Sequence, residues 1–158
     1  MNNSANIASN MVQIQNNTNI INHIVDDPCR ATNYNILNDN MRNRHNDSDV
    51  NGLASPSCDQ NTVEGDWKGG DIWYRFQEPA GTQMADSVVP RNHCGTFASG
   101  WLNGTHPAVL EEKVIKQVCF SYASDCWEST DVEIRNCGLF FLYKLKATPG
   151  CEYKYCGQ

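Results

Sequence analysis

The chain has no apolar run approaching the roughly 18 to 20 residues of a membrane-spanning helix, so no direct membrane insertion is expected. Positive charge is scarce: 12 Lys and Arg stand against 18 Asp and Glu, for a net charge of −6. A nucleic-acid binder normally presents a basic patch, so no nucleic-acid partner is expected, nor is polybasic attraction to anionic lipid. No two cysteines lie as close as the C-x-x-C pair common in zinc sites; the nearest are Cys151 with Cys156 and Cys119 with Cys126. The histidines His23, His45, His93 and His106 form no pair at helical spacing. These absences argue against a metal site, and no catalytic or cofactor-binding residue is assigned. Met1 to Asn22 lacks the basic region and apolar stretch of a secretory signal. An extracellular chain then implies a leader upstream or a different start; otherwise the chain is intracellular.

Large apolar side chains are missing from the first part. All four tryptophans and all five phenylalanines lie at or beyond residue 67, whereas 15 of the first 51 residues are asparagine. The core is therefore expected from about residue 67 onward. Residues 1–25 show no persistent period of 2 or 3.6 and read as a disordered Asn-rich tail, with the domain over 26–158. Residues 38–66 read as a long loop held by Cys58.

What the chain does have is eight cysteines: Cys29, Cys58, Cys94, Cys119, Cys126, Cys137, Cys151 and Cys156. An even number without zinc spacing predicts structural disulfides, and spacing alone leaves many pairings open. Each bridge adds roughly 2 to 4 kcal/mol, which offsets a small core and suits a secreted domain.

Strand patterns dominate after residue 70. In Asp71 to Phe76, Ile72, Tyr74 and Phe76 share one face. Glu78-Pro79-Ala80-Gly81 is a turn, and Thr82 to Val89 is expected to pair back as a short strand ended by Pro90. Cys94 to Pro107 reads as irregular and Gly-rich, ending in a tight turn at Asn103-Gly104. Leu110, Val114 and Val118 suit a helix, but a loop or single helical turn followed by a strand over 114–122 is favoured. Asp131 to Asn136 reads as a half-exposed strand. Leu139 to Leu145 is the strongest strand and is expected to be central, entered through a hairpin turn at Asn136-Cys137-Gly138. Thr148-Pro149-Gly150 turns the chain into its last cysteines. The expected fold is mainly β, a small disulfide-stapled single domain.

The string Trp101-Leu102-Asn103-Gly104-Thr105-His106-Pro107 resembles a motif of the cysteine-rich domain shared by uromodulin, the zymogen-granule membrane glycoprotein and the liver zona-pellucida-domain protein. Further matches run collinearly over about residues 27 to 157. They include Asp27-Pro28-Cys29, Trp73-Tyr74-Arg75-Phe76, Gly81 with Met84, and Val89-Pro90. Cys94, Cys119, Cys126, Cys137, Tyr143, Thr148-Pro149 with Cys151, and Tyr155-Cys156 continue the series. In that family the domain sits among EGF-like, von Willebrand D or zona pellucida domains. The chain looks like an eight-cysteine version of a ten-cysteine pattern, with Val88 at one missing position and Cys126 where the longer form has two adjacent cysteines. The resemblance implies the pairs Cys29–Cys137, Cys58–Cys151, Cys94–Cys156 and Cys119–Cys126. It also places Lys144 where uromodulin carries a sequon, so a glycan there is not expected.

Asn103-Gly104-Thr105 is a glycosylation sequon on a turn, and Asn46 begins another; Asn2 and Asn16 begin sequons of lower standing in an Asn-rich stretch. The function expected is a non-enzymatic extracellular module for adhesion, matrix assembly or ligand and glycan presentation, secreted or on the cell surface. Its partners would be extracellular proteins or glycans, and it needs no cofactor. Two alternatives compete: a secreted hydrolase using an unbridged Cys94 with His93, and an intracellular metal-binding protein. Arg75 is read as stacking or pairing within its strand, Trp101 as core or as a ligand contact, and the pairs Glu111-Glu112 and Asp26-Asp27 as solvated surface.

Overall fold

The computed structural model describes residues 3–25, 27–47, 58–109 and 111–158. Asn2, Asp26, Leu110 and the 48–57 part of the long loop, with the Ser48 of the Asn46 sequon, lie outside them. The elements in order are helix α1 (Asn3–Val25), β1 (Asn35–Leu37), a 3-10 turn (Asn40–Arg42), β2 (Ile72–Phe76), β3 (Ala98–Leu102), β4 (Val114–Ser121), β5 (Glu128–Asn136), β6 (Phe141–Leu145) and β7 (Tyr153–Tyr155). The strands form one sheet in the order β1-β2-β6-β5-β4-β3-β7. β1 on β2 and β7 on β3 are parallel; the other neighbours are antiparallel.

The alternation in β2 does what period 2 requires: Tyr74 and Phe76 are buried and Arg75 is not. β6 lies inside the sheet between β2 and β5, as its apolar run demands. Its start is later than expected. Leu139 stands 96% exposed at the hairpin tip, because Cys137 N–H donates to the Phe140 carbonyl (2.9 Å) and closes the turn before the strand begins.

Both faces of the sheet are packed. One face carries the main core, with Trp67, Tyr74, Phe76, Phe120, Tyr143 and Tyr155. Trp67 stacks on Tyr74 at 4.8 Å between ring centres. The other face holds a smaller cluster of Ala85, Val89, Cys94, Trp101, Cys119 and Cys156. The core begins earlier than the aromatics suggest: Leu37 of β1 is fully buried in it.

Three expectations are corrected. Thr82 to Val89 forms no strand and does not return to β2. The Thr82 and Ala85 amides donate to the Gln158 and Cys156 carbonyls (2.8 and 2.9 Å), so the segment runs against the chain's last residues. Gly81 at φ +103° redirects it there. Cys94 to Pro107 is not irregular throughout, because it contains β3, whose five residues are all buried. Ala98, Ser99 and Gly100 are weak strand formers, so propensity hides the strand. Packing selects them: a Cβ on Gly100 would lie 2.7 Å from the Phe120 ring and 2.9 Å from the Lys154 carbonyl oxygen. Gly100→Ala is expected to cost about 1 to 3 kcal/mol of stability by overpacking, measured by denaturant unfolding.

The N-terminal tail adds nothing to the core: every residue from Ser4 to Ile21 is exposed. Its backbone is nevertheless helical over Asn3–Val25, where composition points to disorder.

Candidate functional site

All eight cysteines are bridged. Cys29–Cys137 ties the segment before β1 to the β5–β6 turn. Cys58–Cys151 ties the strand-poor segment to the approach of β7, Cys94–Cys156 crosses from the turn before β3 to the end of β7, and Cys119–Cys126 closes the β4–β5 hairpin. A bridged Cys94 has no thiolate to offer, so the Cys94/His93 nucleophile fails on its first requirement. The His93 ring instead lies 3.1 Å from the Arg91 carbonyl oxygen. With every thiol bridged, none serves as a metal ligand. Among the described residues, no three His, Cys, Asp or Glu side chains cluster to hold a metal ion.

The strongest electrostatic feature lies in the stretch read as loop. Arg42, 1% exposed at the end of the 3-10 turn, spends all five guanidinium N–H groups inside the protein. Nη1 and Nη2 grip Asp59 bidentately at 2.7 and 2.6 Å. Nε and Nη2 reach Asp66 at 2.9 and 2.8 Å, and Nη1 also donates to the Tyr155 carbonyl at 3.3 Å. The carboxylates are held in turn. Asp59 accepts the Tyr155 N–H (2.9 Å), and Asp66 accepts the N–H groups of Asn38 and Asp39 (2.9 Å each). Asp39 pairs with the buried Lys154 at 2.9 Å. Burial alone would raise the Asp66 carboxyl, but the hydrogen bonds and charge of Arg42 outweigh it and hold its pKa below the ordinary value. Asp39 is likewise lowered, with Lys154 overcoming its burial. The network bolts the segment carrying Arg42, Asp59 and Asp66 to edge strand β7.

A second polar chain crosses the main core. Tyr143 Oη accepts the Met84 N–H at 3.0 Å, so its proton goes to His106 Nε2 at 2.8 Å. That leaves the other proton on His106 Nδ1, facing Asp86 at 3.4 Å. Protonating Nε2 would put two donors against each other. Desolvation lowers the His106 pKa below 6.5 and prevails over Asp86, which pulls it up. A depressed folded-state pKa gives stability that is complete above the unfolded value and lost as pH falls toward the folded one. Unfolding free energy is therefore expected to be flat above about pH 6.5 and to decline below it. Asp66 and Asp39 add a second decline below the ordinary carboxylate range. Denaturant titrations at a series of pH values check this, and His106→Gln should abolish the first decline only.

On the surface, Asn103 follows the last residue of β3 on an exposed turn. Its side-chain N–H donates to Gln117 Oε1 at 2.9 Å, and Gly104 takes φ +143° beside it. Asn46 is partly buried, its amide bonded to the Asn40 carbonyl. Asn16 is exposed on α1. Lys144 stands on β6 with Glu133 at 3.8 Å, a half-open pair of little energetic consequence. Trp101 is a core residue, 7% exposed, with its indole N–H shared between Ser121 Oγ and the Asp125 carbonyl at 3.0 Å. Arg75 stacks over Phe140 at 4.1 Å. Tyr122 and Trp127 flank the β4–β5 hairpin as exposed aromatics 6.4 Å apart.

A seven-stranded sheet with four bridges, no free thiol and a buried ionic lock defines a disulfide-stapled β domain of the secretory route. Residues 74–157 match the family described as the uromodulin-like cysteine-rich domain, and the chain belongs to that family. It is 37% identical over 145 residues to the pancreatic secretory granule membrane major glycoprotein GP2 of Canis lupus familiaris, covering 90% of this chain and 25% of that one. The human counterpart is 34% identical over 137 residues, covering 85% and 22%. Mouse uromodulin is 40% identical over 87 residues, covering 53% and 13%. The chain thus spans a quarter or less of these relatives' length. With them it is placed as secreted or on the extracellular face of the cell surface. No described helix is long and apolar enough to cross a membrane.

Proposed function

We propose that this chain is a non-enzymatic, rigid presenting module within a larger extracellular protein. It comprises residues 26–158, carries an N-linked glycan at Asn103, and acts in adhesion, matrix assembly or ligand presentation toward extracellular proteins or glycans. The observation that carries the reading is the position of Asn103-Gly104-Thr105. An exposed turn bearing a sequon leaves a fully buried strand, within a domain held by four bridges. A glycan at that point is held at a fixed place on a stiff scaffold, so it is presented without an ordering cost at the protein end. Asn46, tied down by its amide, is the weaker acceptor.

The test is secretion of the chain behind an added leader from eukaryotic cells, followed by mass spectrometry with and without enzymatic deglycosylation. A glycan at Asn103 is expected, removed in Thr105→Ala without change in unfolding midpoint. Capture by an immobilised mannose-binding lectin should depend on Asn103. An unmodified Asn103 in fully secreted protein would overturn the presenting role.

A further inference from the structure

In α1, Ile7, Met11, Ile14, Thr18 and Ile21 follow one another at steps of four, three, four and three residues. A mean step of 3.5 is the spacing at which a stripe keeps facing a second helix as the two wind into a left-handed supercoil. Off-stripe Val12 and Ile20 mask the pattern when the sequence is read for a single amphipathic face. The stripe is open: Ile7, Met11, Ile14 and Ile21 are 54%, 65%, 65% and 58% exposed. Thr18 Oγ1 donates back to the Ile14 carbonyl at 2.9 Å, so its hydroxyl needs no partner across an interface.

We infer that α1 is a self-association helix whose stripe is covered by the same helix of further copies of this chain. Seven asparagines and a set of β-branched residues make this a poor helix on intrinsic propensity, and a single helix of this length is marginal in water. It therefore holds its form by burying the stripe, which its own sheet does not cover. The remaining helical element among the described residues is the three-residue 3-10 turn, so the matching helix comes from another molecule. The charge pattern favours an identical one. Asn3–Val25 contains no Asp, Glu, Lys or Arg, and Ala8, Asn10, Gln15 and Asn17 flank the stripe, so a parallel assembly meets no like-charge repulsion. A lipid surface fits less well, because interfacial helices carry Lys and Arg on the polar face. The steps put Ile7, Ile14 and Ile21 at d positions, where β-branched residues favour three or four strands over two.

Sedimentation equilibrium of the full oxidised chain over a wide concentration range tests this. Wild type and Val12→Lys, which places the same charge off the stripe, are expected to sediment above the 17.7 kDa monomer. Ile14→Lys is expected to run as monomer and to lose far-UV helical signal, while its near-UV spectrum shows the β domain intact. A wild type that stays monomeric at every concentration overturns the inference. So does equal dissociation by both variants, association that survives Ile14→Lys, or a monomer that binds anionic vesicles through α1.

Discussion

Replacing Arg42 by Met is expected to destabilise the domain by about 3 to 5 kcal/mol, a large share of a small domain's stability. Met keeps most of the aliphatic volume, so the loss reports charge and hydrogen bonding rather than a cavity. Asp59 is fully buried and Asp66 nearly so. Without the guanidinium, two carboxylates face each other in a dry site, with only backbone N–H groups and the more distant Lys154 to answer them. Lys at the position is expected to fail almost as badly. A single ammonium cannot grip Asp59 bidentately, reach Asp66 and satisfy the Tyr155 carbonyl at once. Neutralising both acids in the Arg42→Met background should recover part of the loss, giving a coupling that separate substitutions would not predict. Guanidinium unfolding under oxidising conditions measures all four proteins. If Arg42→Met unfolds within about 0.5 kcal/mol of wild type, the network is not what secures β7.

The architecture was legible where side chains alternate. β2, β4, β5 and β6 follow from period 2 and from apolar runs, because a half-buried strand writes its burial into the sequence. β3 did not follow, because its selection is for smallness: Gly100 clears Phe120 and the Lys154 carbonyl, a tertiary demand with no local signature. β1 and β7 are three residues each, too short to show a period. The ionic lock was hidden for a related reason. Arg42 is separated from Asp59 and Asp66 by 17 and 24 residues of polar sequence, and charged residues in such stretches are usually solvated. An Arg and two Asp flanking a cysteine and Trp67 were the available signal, and it is a weak one. For the surface sites, the sequon at Asn103 and the turn beneath it were readable, while the partial burial of Asn46 was not. Composition announced bridges; spacing could not choose among pairings, since partners meet through the sheet rather than along the chain.

Loss of Cys29–Cys137 is expected to cost about 4 kcal/mol and loss of Cys119–Cys126 about 2 kcal/mol, when each pair is replaced by alanine. The bridges span 108 and 7 residues, and a longer closed loop removes more entropy from the unfolded chain. The full 108 is not the relevant length. With Cys58–Cys151 intact, the unfolded chain already connects the two ends by a shorter path of roughly 43 residues, through Cys58 and back from Cys151. That shortening trims the larger cost without reversing the order. The native state adds to the difference. Cys29–Cys137 anchors the segment that leads into β1, and β1 supplies buried Leu37 and the Leu37 carbonyl that accepts the Gln77 N–H at 2.9 Å. The β4–β5 hairpin has seven register pairs to hold it without its bridge. Denaturant unfolding of the two variants gives the costs, and hydrogen exchange at Gln77 reports whether β1 detaches first. A Cys119–Cys126 deletion that costs as much as the long-range one would mean that native packing around the buried Cys119, and not restriction of the unfolded chain, sets the value of the bridges.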